Sequence, residues 1–399
     1  MNWLPSNEVL QRRANVALIV LFLAFIFLPM ADTFLHLDRA PSPNENRAPA
    51  AFPALDPNLD GTRKFIPGIE TYFRDHFGFR RQLIHWEQHW KWRLFHDERA
   101  SKVLVGRDGW LFFSDGRTLD DISGTMPFTR AELESWHTLL TGRRDWLRER
   151  GIRYLLVIPP DKQSIYPEHL PDWLLARARK PQRLDQFLAY LRAHSDVPIL
   201  DLREALLAAK EIRQVYLRTD SHWNDCGAFA AYRRIVQEIS ALGIPATAPD
   251  RGEFSETLTD GPGGDLALLL GQQGTLMETA IPVLSPKPPL QPVEARVQAS
   301  ADPKRRTPVS APLISENSLA TGKVVMFRDS FAIALSKFFG HSFGRVAYVW
   351  QQNWDKPFIE REKPDIVIDE MVEHFLIFRD PDDLRKKDEQ PDAHAITNP

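Results

Sequence analysis

The chain has 399 residues with 50 basic and 53 acidic side chains, a formal net charge of −3, which excludes the basic excess expected of a nucleic-acid partner. Its 43% hydrophobic and 11% aromatic content excludes a wholly disordered polypeptide. A lone cysteine, Cys226, excludes an intramolecular disulfide framework and a cysteine-rich metal site, and the length suits two or three domains or one large domain with insertions.

Residues 1–37 read as a signal anchor. Ala14 to Ala31 is uncharged and almost entirely apolar, long enough as a helix to cross about 27 Å of hydrocarbon. Arg12 and Arg13 precede it and Asp32 follows, which puts the N-terminus in the cytoplasm and the remainder outside. A cleaved signal peptide and a buried core helix are the alternatives, although Pro29-Met30 and Phe34-Leu35 leave no clean small-x-small site for cleavage. Cys226 is then a lone thiol in an oxidising compartment, best kept by burial. Residues 38–62, rich in Pro, Asn and Asp, read as a linker.

The main domain is expected over 63–378. Phe65 to His96 has helical spacing of Phe73, Phe77, Leu83, Trp86, Trp90 and Leu94, with Pro67 in the first turn and Gly78 as an interruption. Val103–Val105 and Trp110–Phe113, joined through Gly106 and Gly109, predict a β-hairpin. Thr129 to Arg150 predicts an amphipathic helix with Thr129 as N-cap and Gly151 as stop.

Short apolar runs then alternate with helices. Strands are expected at 154–158, 197–200, 323–327, 346–350 and 366–369, and helices at 183–195, 226–242 and 331–339. This pattern predicts an α/β fold with a mainly parallel sheet covered on both faces. Between Pro245 and Thr321 it dissolves into Pro, Gly and Ser, read as a loop-rich insertion. The charged residues 379–399 read as a flexible tail.

Candidate chemistry concentrates in two phrases. In Asp220-Ser221-His222-Trp223-Asn224 an extended backbone would put Asp220 and His222 on one face, where the carboxylate can fix the imidazole tautomer. The plain alternative is a surface pair in a loop. In Met326-Phe327-Arg328-Asp329-Ser330-Phe331 a strand gives way to a helix, so Ser330 would stand at the carboxyl edge of the sheet as a nucleophile. Here the alternative is a helix N-cap. Ser221, expected to point away from Asp220 and His222, and Cys226, inside a helix, are weaker nucleophiles. His85, His89 and His96 share a helical face, but His85-Trp86-Glu87-Gln88-His89 misplaces the glutamate of a metalloprotease motif, and no metal or other cofactor is expected. Trp223, Trp350 and Trp354 lie where a sugar could stack.

On these residues the chain resembles the alginate O-acetyltransferase family of extracytoplasmic SGNH-hydrolase-like proteins. The shared phrases include Glu45-Asn46-Arg47, Phe73-Arg74-Asp75-His76-Phe77-Gly78, Gly106-Arg107-Asp108-Gly109-Trp110 and Ile158-Pro159-Pro160-Asp161-Lys162. Asp220-Ser221-His222-Trp223, Gly264-Asp265-Leu266 and Arg328-Asp329-Ser330-Phe331 complete them. The resemblance implies a three-layer α/β/α domain and a triad of Asp220, His222 and Ser330 in permuted order, with Arg328 where ordinary SGNH esterases have glycine. It further implies transfer of acetyl groups to a secreted polysaccharide in the periplasm, from a donor delivered by a multispanning membrane acyltransferase. Gly264, Asn353, Arg328 and Trp223 are candidate oxyanion or substrate residues, and Asp161 and Lys162 candidate rim residues or a surface turn. A carbohydrate acetyl esterase and a non-catalytic polysaccharide-binding scaffold remain alternatives.

Overall fold

The computed structural model describes residues 7–35, 50, 52–53, 59–79, 102–297 and 311–389, and the chain divides into two compact units, Met1–His96 and Asp97–Thr397. The second unit therefore begins later than the boundary expected at residue 63.

In the first unit Asn7–Leu35 forms one continuous helix of 29 residues. Among the described residues no helix is long and apolar enough to cross a membrane. Residues 24–26, 29 and 30, within the predicted span, have side chains outside the described set. A second helix, Leu59–Asp75, starts earlier than predicted, so Pro67 lies inside it rather than in its first turn. It ends before Gly78, as expected, while the continuation to His96, with His85 and His89, lies outside the described residues, as does most of the linker.

In the second unit β1 (Val103–Val105) and β2 (Leu111–Phe113) form the predicted antiparallel hairpin. Its connection passes through Asp108 and Gly109 at φ 55° and 74°, the left-handed region that glycine occupies at little cost. Next come β3 (Arg153–Ile158), β4 (Ile199–Asp201), β5 (Phe254–Pro262), β6 (Met277–Pro286) and β7 (Arg296–Val297). Then follow β8 (Leu313–Glu316), β9 (Lys323–Arg328), β10 (Arg345–Trp350) and β11 (Ile366–Glu370). The main sheet has the order β4-β3-β11-β9-β10-β8-β7, parallel from β4 to β10 and antiparallel at the β8 and β7 edge.

Alternation along the strands divides the apolar residues between two cores. Val324, Met326, Ile366 and Ile368 face one, with the helices Asp225–Ala241 and Ala332–Phe339. Val325, Phe327 and Val367 face the other, with Arg130–Arg148 and Arg183–His194. Both faces being covered explains why these strands read as unbroken apolar runs. The capping box of Thr129 with Glu132, and Gly151 at φ 70°, bound the first of these helices as predicted.

Two expectations are corrected. The segment 245–321 is no loop-rich insertion over its described part: β5 and β6 pair as an antiparallel ribbon, and β7 and β8 extend the main sheet. Sequence such as Ser255-Glu256-Thr257-Leu258-Thr259 hid the ribbon, because a ribbon exposed to water shows no apolar run. The second correction concerns the tail. Pro381–Glu389 is a helix, with Leu384 and Asp388 buried. Asp388 grips Arg143 through Nε at 2.8 Å, and Asp369 takes the same guanidinium at 2.7 Å. Residues 390–399 lie outside the described set.

Candidate active site

Asp220 and His222 meet for a reason other than the extended backbone expected. The loop between Tyr216 and Trp223 closes on itself, with the Leu217 N–H donating to the His222 carbonyl at 3.2 Å. Within it Asp220 Oδ1 accepts the His222 N–H at 2.9 Å, the local side-chain-to-backbone turn that aspartate favours. The same oxygen accepts from His222 Nδ1 at 2.7 Å. Asn224 caps the helix Asp225–Ala241 and so ends the loop.

Ser330 follows β9, and its Oγ lies 2.7 Å from His222 Nε2. With the imidazole proton on Nδ1, held by Asp220, Nε2 accepts from the Ser330 hydroxyl. Neither Ser330 nor Asp329 caps the following helix, whose N-cap position is Phe331 with no side-chain cap. Asp329 instead fixes the turn ahead of it, its Oδ1 accepting the Phe331 N–H at 2.9 Å and its Oδ2 the Val372 N–H at 2.7 Å. The Asp329 N–H donates to Glu370 Oε2 at 2.9 Å, so the turn is pinned to β11 and Ser330 is free to face the imidazole. Trp223 Nε1 donates to the Phe331 carbonyl at 3.1 Å and ties the two halves together.

The electrostatics suit proton transfer. Burial would raise the Asp220 carboxyl, but hydrogen bonds from His222 and the His222 charge, with the Asp265 N–H, outweigh it and hold the group down to about 2. Burial would lower His222; Asp220 above all, then Asp265 and Asp329, reverse that and raise it. The imidazole remains open to water, its side chain 27% exposed against 16% for Asp220.

The other predicted site residues fall elsewhere. The Gly264 N–H is committed to Thr219 Oγ1 at 2.9 Å, so it is no oxyanion donor. Its importance is spatial, since a Cβ there would come within 2.3 Å of the Asp220 Cβ. Trp223 and Trp354 are buried and cannot line a sugar groove, whereas Trp350 is half exposed. Asn353 is tied to Gln351 through its carbonyl, and nothing among the described contacts links it to Ser330. Arg328 is buried, with its guanidinium 4.0 Å from the centre of the Trp350 ring. Ser221 does not point away as expected: its Oγ donates to Asp265 and lies 3.3 Å from His222 Nδ1, on the side remote from the proton-accepting nitrogen. Cys226 is half-buried, and desolvation pushes its thiol pKa up.

Asp161 and Lys162 form no surface turn. Lys162 is buried, and its ammonium donates to the carbonyls of Leu217, Arg218 and Asp220 at 3.1, 3.1 and 2.5 Å, bracing the loop from beneath. Desolvation brings it down to about 7 against the pull of Asp220, Asp265 and Glu278. Asp161 pairs with His374 at 2.6 Å. The ribbon and the short helix Asp265–Leu269 between its strands supply more bracing, which the sequence pattern does not reveal. Asp265 donates its N–H to Asp220 Oδ2 at 2.9 Å, and buried Glu278 accepts from Thr219 Oγ1 at 2.6 Å. Only the phrase Gly264-Asp265-Leu266 hinted at this. Asp220, His222 and Asp265 gather three potential metal ligands, but the Asp220–His222 hydrogen bond already uses Nδ1.

A parallel sheet flanked by helices, with Asp, His and Ser hydrogen-bonded in line beyond its carboxyl edge, is the arrangement of a hydrolase-like α/β protein. Residues 103–305, just over half of the chain, match the family described as "SGNH hydrolase-like domain, acetyltransferase AlgX", and the chain belongs to that family. Asp220 and His222 lie within the matched segment and Ser330 beyond it. Probable alginate O-acetylase AlgJ of Pseudomonas syringae pv. tomato is 32% identical over 201 residues, 49% of this chain and 46% of that protein. The Pseudomonas fluorescens protein of the same description is 30% identical over 260 residues, 64% and 61% of the two chains. The chain thus matches between about half and three fifths of these relatives' length. Among solved structures, Bacillus cereus PatB1 shares the fold at a TM-score of 0.50 and 18% identity, over 70% of this chain and 99% of that one.

Proposed function

We propose that this protein is a polysaccharide O-acetyltransferase working through an acetyl-serine. The observation that carries the reading is the 2.7 Å contact from His222 Nε2 to Ser330 Oγ, continued at 2.7 Å to Asp220. In the first half-reaction the Ser330 hydroxyl passes its proton to His222 while Oγ attacks the acetyl carbonyl. The oxyanion is held by the Ser330 N–H at the start of the following helix. Its collapse expels the donor's leaving group, which takes the proton from His222. A sugar hydroxyl then gives its proton to His222 and attacks the acetyl carbon. The second collapse returns the proton to Ser330 Oγ and frees the acetylated sugar.

Family membership and the names of the alginate O-acetylase relatives support alginate or a similar exopolysaccharide as acceptor. The same kinship supports a periplasmic site of action and an acetyl donor delivered by a multispanning membrane acyltransferase. The apolar run Ala14–Ala31 supports a role for the N-terminal helix as membrane anchor, since Leu18, Leu21 and Phe22 on it are exposed.

Incubation of the full chain with an activated acetyl ester and oligosaccharides, followed by mass spectrometry, is expected to give acetylated sugar and to trap acetyl on Ser330. Ser330→Ala abolishes both. Full activity in that variant would sink the assignment, and release of acetate alone with every acceptor would make the protein an esterase.

A further inference from the structure

We propose that Trp350 is the stacking platform for a pyranose ring of the acceptor, positioned beside Ser330 and backed by Arg328. This rests on the acetyltransferase reading and adds to it the residue that meets the sugar.

Trp350 ends β10 and stands in register with Arg328 at the end of β9, both on the same side of the sheet. Adjacent strands lie about 4.8 Å apart and Ser330 is two residues beyond Arg328, so the two backbones are separated by on the order of 8 Å, about the span of one sugar ring. Of the three tryptophans near the site, Trp223 and Trp354 are buried while Trp350 is 50% exposed. A solitary exposed apolar side chain needs no explanation by itself. What sets Trp350 apart is its backing. The Arg328 guanidinium lies 4.0 Å from the ring centre and is buried: among the described residues Nε has no hydrogen-bond partner, and Nη1 donates to the Asp329 carbonyl at 3.1 Å. A buried cation offers an incoming ligand little, but stacked on the indole it steadies the plane of a ring that stays half exposed.

The loop beyond continues this character. Gln351, Gln352 and Asn353 are partly exposed amides, and the loop is fixed by Gln351 Nε2 donating to the Asn353 carbonyl at 2.9 Å and Gln352 Nε2 to the Glu370 carbonyl at 3.2 Å. A flat apolar ring beside planar amides matches a pyranose, whose C–H face is apolar and whose hydroxyls lie around the edge. The chemistry is common to uronate and neutral sugars.

The test uses the full chain carrying Ser330→Ala, so that binding is read without turnover, and calorimetric titration with alginate oligosaccharides in one arm and cello-oligosaccharides in the other. Trp350→Ala is expected to weaken binding of the preferred sugar about tenfold, and Trp350→Phe, which keeps a smaller ring on Arg328, about threefold. An unchanged melting temperature excludes misfolding; should the alanine variant not fold, the phenylalanine variant carries the comparison. Affinity within experimental error of the parent in the variants overturns the platform while leaving the acetyltransferase reading intact. A parent that binds neither sugar overturns the platform too. If acetyl is then still trapped on Ser330 of the unmodified chain, the nucleophile survives and the choice of acceptor is what fails.

Discussion

Replacing Asp220 by asparagine changes one atom and sets up a conflict that can be read from the distances. Oδ1 accepts two donors from His222, the N–H at 2.9 Å and Nδ1 at 2.7 Å, and Oδ2 accepts the Asp265 N–H at 2.9 Å. An amide has a single oxygen. If it faces Asp265, its NH₂ confronts His222, and the imidazole moves its proton to Nε2, where it can no longer take one from Ser330. If it faces His222, the NH₂ confronts the Asp265 N–H. The first arrangement predicts a loss in kcat on the order of 10⁴-fold, the usual result of fixing the wrong tautomer in such a triad. Stability falls as well. Asp220 is lowered from 3.8 to about 2, which corresponds to about 2 kcal/mol of native-state preference at neutral pH. The sign follows from the direction: this contribution is present above the ordinary carboxyl range and disappears as pH falls through about 2, so parent and variant converge in strong acid. Acetyl-ester turnover gives the first quantity and urea denaturation at pH 7 the second. Activity within tenfold of the parent in a folded Asp220→Asn protein would refute the tautomer argument.

Because Asp220 holds His222 above its ordinary value of 6.5 and the mechanism needs the imidazole neutral, kcat/KM is expected to rise with pH through an inflection above 6.5. A pH–rate profile checks this, and an inflection below 6.5 would contradict it. In Gly264→Ala the new methyl would come within 2.3 Å of the Asp220 Cβ and 2.5 Å of Oδ2, so Asp220 must move. A loss of about 1–3 kcal/mol by denaturation and at least about tenfold in acetyl-ester turnover is expected. Asp388→Ala removes one of two carboxylates from buried Arg143 and is expected to destabilise the fold by about 3 kcal/mol, measured by urea denaturation.

The buried strands were legible because a parallel sheet covered on both faces leaves dense apolar runs, and β9, β10 and β11 begin within a residue of where the runs do. The helix after Thr129 was legible for a different reason: its capping residue and its glycine stop are local signals. Elements stabilised by polar contacts were not. The helix Pro381–Glu389 reads as a charged tail because the acid that secures it, Asp388, looks like any other surface aspartate until Arg143 is seen buried against it. Residue types and the strand-to-helix turn marked Asp220, His222 and Ser330. Gly264 stands out in the sequence but its role does not, because sequence does not reveal that its N–H already has a partner.

The polar ribbon follows from what the loop bearing Asp220 and His222 demands. Asp220, His222 and their neighbours sit in irregular backbone, where no sheet ladder satisfies the amides, so each must find a side chain or another loop. The ribbon segment provides these: Asp265 takes the Ser221 N–H at 2.7 Å, Glu278 takes Thr219 Oγ1 at 2.6 Å, and the Ala267 N–H donates to the Thr219 carbonyl at 3.1 Å. From the other side the Lys162 ammonium gathers three carbonyls of the same loop. Ser330 needs less support, since β9 and the following helix fix it and Asp329 pins the turn between them. The proposed nucleophile is therefore held between elements of regular structure and the proposed base by a polar scaffold, which explains why an apolar pattern reveals the strand leading to Ser330 and not the scaffold around His222.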